Sequence, residues 1–218
     1  MWARIALVVR RDFRPDNARL SGQAAQALAD LVPLLACGEE AAALTFHRLA
    51  DQPVFDVDAV TALAAIETEE HRHEQMLVAL ATRLPAPQRA KETRRAARRF
   101  QLFLGVRCPV EHLARIAAID AGVCMILARL TKRTGPLSDD PDVIAILRRI
   151  HRDESRHVAV SRDIARRYAD RRDLRDSAAA ARQSLAGLLA LGGASFEALA
   201  VDPSLLMRDV SRLPNGLL

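Results

Sequence analysis

The 218 residues are half hydrophobic and 27% charged but only 4% aromatic, with a formal net charge of +5 at pH 7. A chain of this length and composition buries a full core as one domain, or one domain with an appendage, which excludes a disordered, collagen-like or disulfide-stapled class. Cys37, Cys108 and Cys124 are odd in number and widely spaced with no CxxC pair, so neither a disulfide framework nor a four-cysteine iron site is expected, and a reducing cytoplasm suits them.

The positive charge is carried almost wholly by arginine, since Lys91 and Lys132 are the only lysines. That usage fits a GC-rich bacterial genome; an acidic partner such as RNA or a carrier protein is the sharper alternative. The apolar run Ile5 to Val9 is too short for a signal-peptide core, and Arg10 and Arg11 follow it without a small-residue cleavage site. No long uncharged apolar window occurs, so no membrane span is expected. With 9 glycines and no convincing alternating strand pattern beyond residue 10, the chain reads as all-α.

Residues 1–20 read as an N-terminal arm, either a small helix or an extended piece. Ser21 is an N-cap for a helix to about Asp51, with Pro33 expected to kink or break it. A second helix starts after Pro53, capped by Asp56 or Asp58, and runs to about Leu84, where Pro85 and Pro87 stop it. Residues 88–104 form a basic helix (Arg89, Lys91, Arg94, Arg95, Arg98, Arg99) that turns apolar at Phe100 and crosses between two halves of a bundle. Pro109 opens a third bundle helix, to about Arg133. After a turn-rich stretch from Thr134 to Pro141, a fourth helix covers residues 142–170. A further amphipathic helix over 172–193 and one or two short helices over 195–212 are additional to the core.

The chemistry lies in two tetrads. Glu70-His71-Arg72-His73 and Glu154-Ser155-Arg156-His157 both place Glu and His three residues apart on a helix, so each carboxylate and imidazole share one face. Each of the two partner helices is then searched for a core-facing carboxylate. Glu39 lies on the apolar line of Leu35, Ala42, Ala43 and Phe46 and is favoured over Glu40, whose line is mixed. Asp120, mid-helix among apolar residues, is favoured over Glu111, which sits where a helix N-terminus welcomes an acid. Four carboxylates and two imidazoles suit two hard-to-borderline divalent ions. Glu67 and His151, each three residues before a tetrad Glu, are candidates for an extra ligand or a supporting role. His47, His71 and His112 are not expected to ligate.

This constellation resembles the ferritin-like di-iron carboxylate superfamily, which includes rubrerythrins, ribonucleotide reductase small subunits, multicomponent monooxygenase subunits and demethoxyubiquinone hydroxylases. The resemblance covers roughly residues 30–165. It implies a ferritin-like four-helix bundle over residues 21–170 with a crossover helix, followed by a C-terminal helical extension over residues 171–218. It implies ligation by Glu39, Glu70, His73, Asp120, Glu154 and His157. Asp153-Glu154-x-x-His157 resembles the superfamily motif in which the Asp hydrogen-bonds a metal-bound His from behind, and Glu69 is placed for the same part. Asp120 departs from the commoner Glu, shortening the reach by one methylene.

The implied cofactor is two Fe ions, with Mn or a mixed Mn/Fe pair as alternatives. Rubrerythrin-type peroxide reduction is disfavoured without a cysteine cluster, and radical storage is disfavoured because Tyr168, the only tyrosine, lies almost four turns beyond Glu154. By elimination the expected function is an O2-dependent oxidase or oxygenase acting on an organic substrate, small or carrier-bound, with an external electron donor. Alaninerich faces (Ala41 to Ala43, Ala64-Ala65, Ala117-Ala118, Ala121) would leave room for an apolar substrate. Alternatives are a metal storage or detoxification protein, or a metal-free scaffold module. Assembly as a homodimer is left open.

Overall fold

A computed structural model describes residues 19–169 and 171–213, the side chains of 171–173 excepted. Most of the expected N-terminal arm therefore lies outside the described residues. Within them, every regular element is helical. Helix α1 (Gly22–Ala50) is capped by Ser21, whose hydroxyl accepts from the Ala24 N–H at 3.2 Å. Of the kink or break expected at Pro33, the break does not occur. A proline inside a helix costs about 3 kcal/mol. Leu28, Leu31, Val32 and Ala36, all buried on either side of it, hold the helix continuous.

Helix α2 (Val57–Ala81) uses Asp56 as its cap, the carboxylate accepting from the Ala59 N–H at 2.8 Å, while Asp58 falls in the first turn. Helix α3 (Ala90–Leu104) is the basic one, and α4 (Pro109–Leu130) has its proline at the first turn. The turn-rich stretch contains one 3-10 turn, Pro136–Asp139, and Asp140 then caps α5 (Pro141–Tyr168) by accepting from the N–H groups of Asp142 and Val143. Helices α6 (Arg171–Leu189), α7 (Gly193–Ala198) and α8 (Pro203–Ser211) are the last among the described residues.

Helices α1 and α2 pack along each other as one hairpin and α4 and α5 as a second; the hairpins meet through α2 against α5 and α1 against α4. Helix α6 covers α4, while α3 lies on α1 and touches α6. Gly122 makes the first contact close, because a Cβ there would stand 2.6 Å from Leu185 Cδ2. Leu28, Phe46, Leu63, Leu77, Leu113 and Leu147 are fully buried between the hairpins. Each contributes about 1.5–3 kcal/mol through lost contact with water. At the middle of this apolar interior sit six polar side chains from four helices. No helix among the described residues is long and apolar enough to cross a membrane.

Candidate metal centre

Glu39 from α1, Glu70 and His73 from α2, and Glu154 from α5 form a buried cluster whose ligand atoms lie within 4.8 Å of one another, a group that can hold a metal ion. His73 Nδ1 is 3.2 Å from Glu39 Oε2, 3.3 Å from Glu154 Oε1 and 3.6 Å from Glu70 Oε2. His157 extends the cluster. Its Nδ1 stands 2.9 Å from Glu70 Oε1 and 3.6 Å from Glu154 Oε1, and its ring lies 5.7 Å from that of His73, stacked. Asp120, buried on α4, lines the same cavity as Glu39, Glu70 and Glu154. Glu39, not Glu40, is thus the α1 carboxylate in the cluster; Glu40 is only half-buried.

The rear of each imidazole is held by the opposite hairpin. His157 Nε2 donates to Glu69 Oε2 at 2.8 Å, and His73 Nε2 donates to Asp153 Oδ2 at 3.2 Å. Arg156 also donates to Glu69, which ties the two helices together. A proton fixed on Nε2 leaves the Nδ1 lone pair pointing inward, the form a metal ligand requires. The residue preceding each tetrad Glu therefore orients the histidine of the other tetrad.

Polar atoms at the centre lack partners. Both oxygens of Glu70, Oδ2 of Asp120, Oε1 of Glu154 and Nδ1 of His157 are buried without a properly aligned hydrogen bond, even where 2.9 Å separates two of them. A buried polar group left so costs about 1–3 kcal/mol. Several such atoms converging from three helices fit a divalent cation, which would satisfy them together.

The electrostatics point the same way. Burial pushes the carboxyls of Glu39 and Asp120 well above the ordinary range, and neighbouring Glu154 and Glu70 push further in the same direction. Burial also raises Glu70, but the close imidazoles of His157 and His73, at 2.9 and 3.6 Å, outweigh it and hold this carboxyl at about 2. Burial works against charge on both imidazoles, yet the surrounding carboxylates prevail and raise His73 to about 12 and His157 to about 11. Protons thus stand in for cations when no metal is bound.

Other candidates lie elsewhere. Glu67 pairs with the His47 imidazole at 3.2 Å instead of turning inward, and His151 stays half-buried outside the cluster, its carbonyl accepting from Ser155. His71 faces solvent. Cys124 sits 3.6 Å from the Ser155 hydroxyl, its thiol pushed up to about 12 by burial. The Tyr168 hydroxyl accepts from the Asp56 N–H at 2.9 Å, at the far end of the helices. Two buried polar residues not singled out from sequence follow the tetrads by one helical turn. Glu74, one turn beyond Glu70, is buried with its carboxyl raised by burial and by Glu40, and Ser161, one turn beyond His157, is fully buried. Their i+4 spacing from a tetrad residue was the available signal.

An apolar cavity of about 70 Å³ abuts the carboxylate side of the cluster. Its walls come from Leu34, Phe100, Leu104, Ile116 and Leu188, with Ala42 the one residue of the alanine-rich faces that reaches it. Ala64 and Ala65 face solvent. The helices that close it, α3 and α6, are outside the two hairpins. Comparison with models of known protein families and with curated proteins finds no match.

Proposed function

We propose that this chain is a ferritin-like di-iron carboxylate protein, its four-helix bundle made of α1, α2, α4 and α5, that works as an O2-dependent oxidase or oxygenase on an apolar organic substrate. The observation that carries the reading is the set of convergent, unpartnered buried donors beside an apolar cavity. Glu39, Glu70, His73, Asp120, Glu154 and His157 would hold the two ions. Iron bound there supplies O2 activation, with electrons from an external donor.

The chain's own residues set the conditions. Glu69 and Asp153 hold both imidazoles in one tautomer. Four carboxylates balance two divalent charges, so the loaded centre is neutral inside an apolar core. Phe46 presses edge-on against the His157 ring at 6.5 Å and keeps water from that side. Phe100, Leu104 and Leu188 give a substrate an apolar berth against the carboxylates.

The test is O2 uptake by protein loaded anaerobically with ferrous ion, with a chemical reductant, beside Glu154→Gln and Ala97→Phe variants. Uptake that disappears in Glu154→Gln together with the metal, and slows in Ala97→Phe with the metal retained, is expected. Uptake of many irons per chain would replace this reading with storage.

A further inference from the structure

Helix α3 has two unlike sides. On the inner one, Ala97, Phe100 and Leu104 wall the cavity that ends at the carboxylates. On the outer one, Lys91, Arg95 and Arg98 follow each other at steps of four and three, and Leu102 continues the same line. Leu102 is 83% exposed and Phe103, beside it, 47%. Arg99 and Arg107 are exposed on either side of this tip. The acidic residue of the helix, Glu92, is already paired with Arg89 at 2.7 Å. Among the described residues no ion pair engages Lys91, Arg95, Arg98, Arg99 or Arg107. The tip itself is held in place: Arg115 donates to the Phe103 carbonyl at 3.1 Å, and its guanidinium stands 5.7 Å from the Phe103 ring centre.

A wholly solvated basic face is common and so is a single exposed apolar side chain, but Leu102 and Phe103 are neighbours and together form an apolar tip at the end of the cationic line. The surface that satisfies both features offers negative charge and an apolar layer at once. Nucleic-acid phosphates would serve the cations and leave the Leu102 side chain in water. The headgroup region of an anionic bilayer serves both, taking Leu102 and Phe103 into the acyl boundary while the arginines meet the headgroups.

We infer that the outer face of α3 docks on an anionic lipid surface, with Leu102 and Phe103 inserted. The docking stands on the α3 surface alone and is independent of the oxidoreductase reading.

The test is co-sedimentation of the full chain with phosphatidylcholine vesicles, with and without phosphatidylglycerol. Binding to the anionic vesicles, weak binding to the neutral ones and release by salt are expected. Neutralising Arg95 and Arg98 should lower partitioning about fivefold per cation. The double variant Leu102→Ser/Phe103→Ser should lower it at least about tenfold, with helix content and metal content unchanged. Equal binding by that double variant, no binding to anionic vesicles, or preferential binding of single-stranded RNA over vesicles would overturn the docking. Glu70→Gln separates the two ideas: its vesicle binding should equal that of the parent whether or not O2 uptake is lost.

Discussion

Metal uptake should expel protons, and the number follows from the site. Without metal, His73 at about 12 and His157 at about 11 are both charged at pH 7, and both must surrender the proton on Nδ1 to become ligands. Burial also favours the neutral forms of Glu39 and Asp120. Loading a metal pair therefore releases at least about two protons, those of the imidazoles, and the overall association constant rises by at least about 10² for one pH unit near neutrality. That is about 3 kcal/mol. The sign for folding differs from group to group. The raised histidines stabilise the metal-free fold fully below pH 6.5, and this is lost only as pH climbs through about 11 to 12. Glu70, depressed to about 2, adds stability above 4.5 that disappears on acidification through about 2. The raised carboxyls of Glu39 and Asp120 act oppositely and weaken the metal-free fold as pH rises above 4.5 and 3.8. Metal should thus raise Tm more at pH 8 than at pH 6. Chelator competition with Mn2+ at several pH values, with proton counting in weak buffer, measures the slope. A slope below one, or proton uptake on binding, refutes the charge assignment.

Glu69→Gln and Asp153→Asn should each weaken metal binding about 10–100-fold without changing the number of ions bound, because a ligand imidazole loses its anchor; unchanged affinity in a metal titration would show that these carboxylates serve only the surface ion pairs. Phe46→Ala, at a fully buried site against His157, should cost about 3–5 kcal/mol in denaturant unfolding, and a loss below 1 kcal/mol would mean the site is not packed as described. Tyr168→Phe removes the acceptor of the Asp56 N–H and should cost about 1 kcal/mol while leaving O2 uptake intact; loss of uptake would give the tyrosine a redox role.

Much of the helical layout is legible because it is local. Ser21, Asp56 and Pro109 announce helix starts by their own chemistry, and period-3.6 burial does the rest. The inward pairing of Glu with His within each tetrad is likewise a property of one helix. What needs the tertiary structure could not be read. Pro33 stays inside an unbroken helix because of packing on both sides. Glu69 and Asp153 were expected to back a histidine, but that each serves the histidine of the other hairpin is a contact between residues 80 or more positions apart. Glu67 looks equivalent to a ligand by spacing, yet a neighbouring His47 draws it outward. The cavity is closed by α3 and α6, the approach of α6 depending on Gly122, while of the alanines near the tetrads only Ala42 reaches it, Ala43, Ala117 and Ala118 being packed in the core and Ala64 and Ala65 facing solvent.

The most direct measurement is elemental analysis by mass spectrometry of the purified chain after anaerobic ferrous loading, beside Glu70→Ala, Glu154→Ala and His157→Ala variants that retain helical circular dichroism. Two ions per chain, lost in each variant, is the expected result. Full metal content in folded Glu70→Ala and Glu154→Ala, or no metal in the parent chain, would contradict a di-metal centre at this cluster.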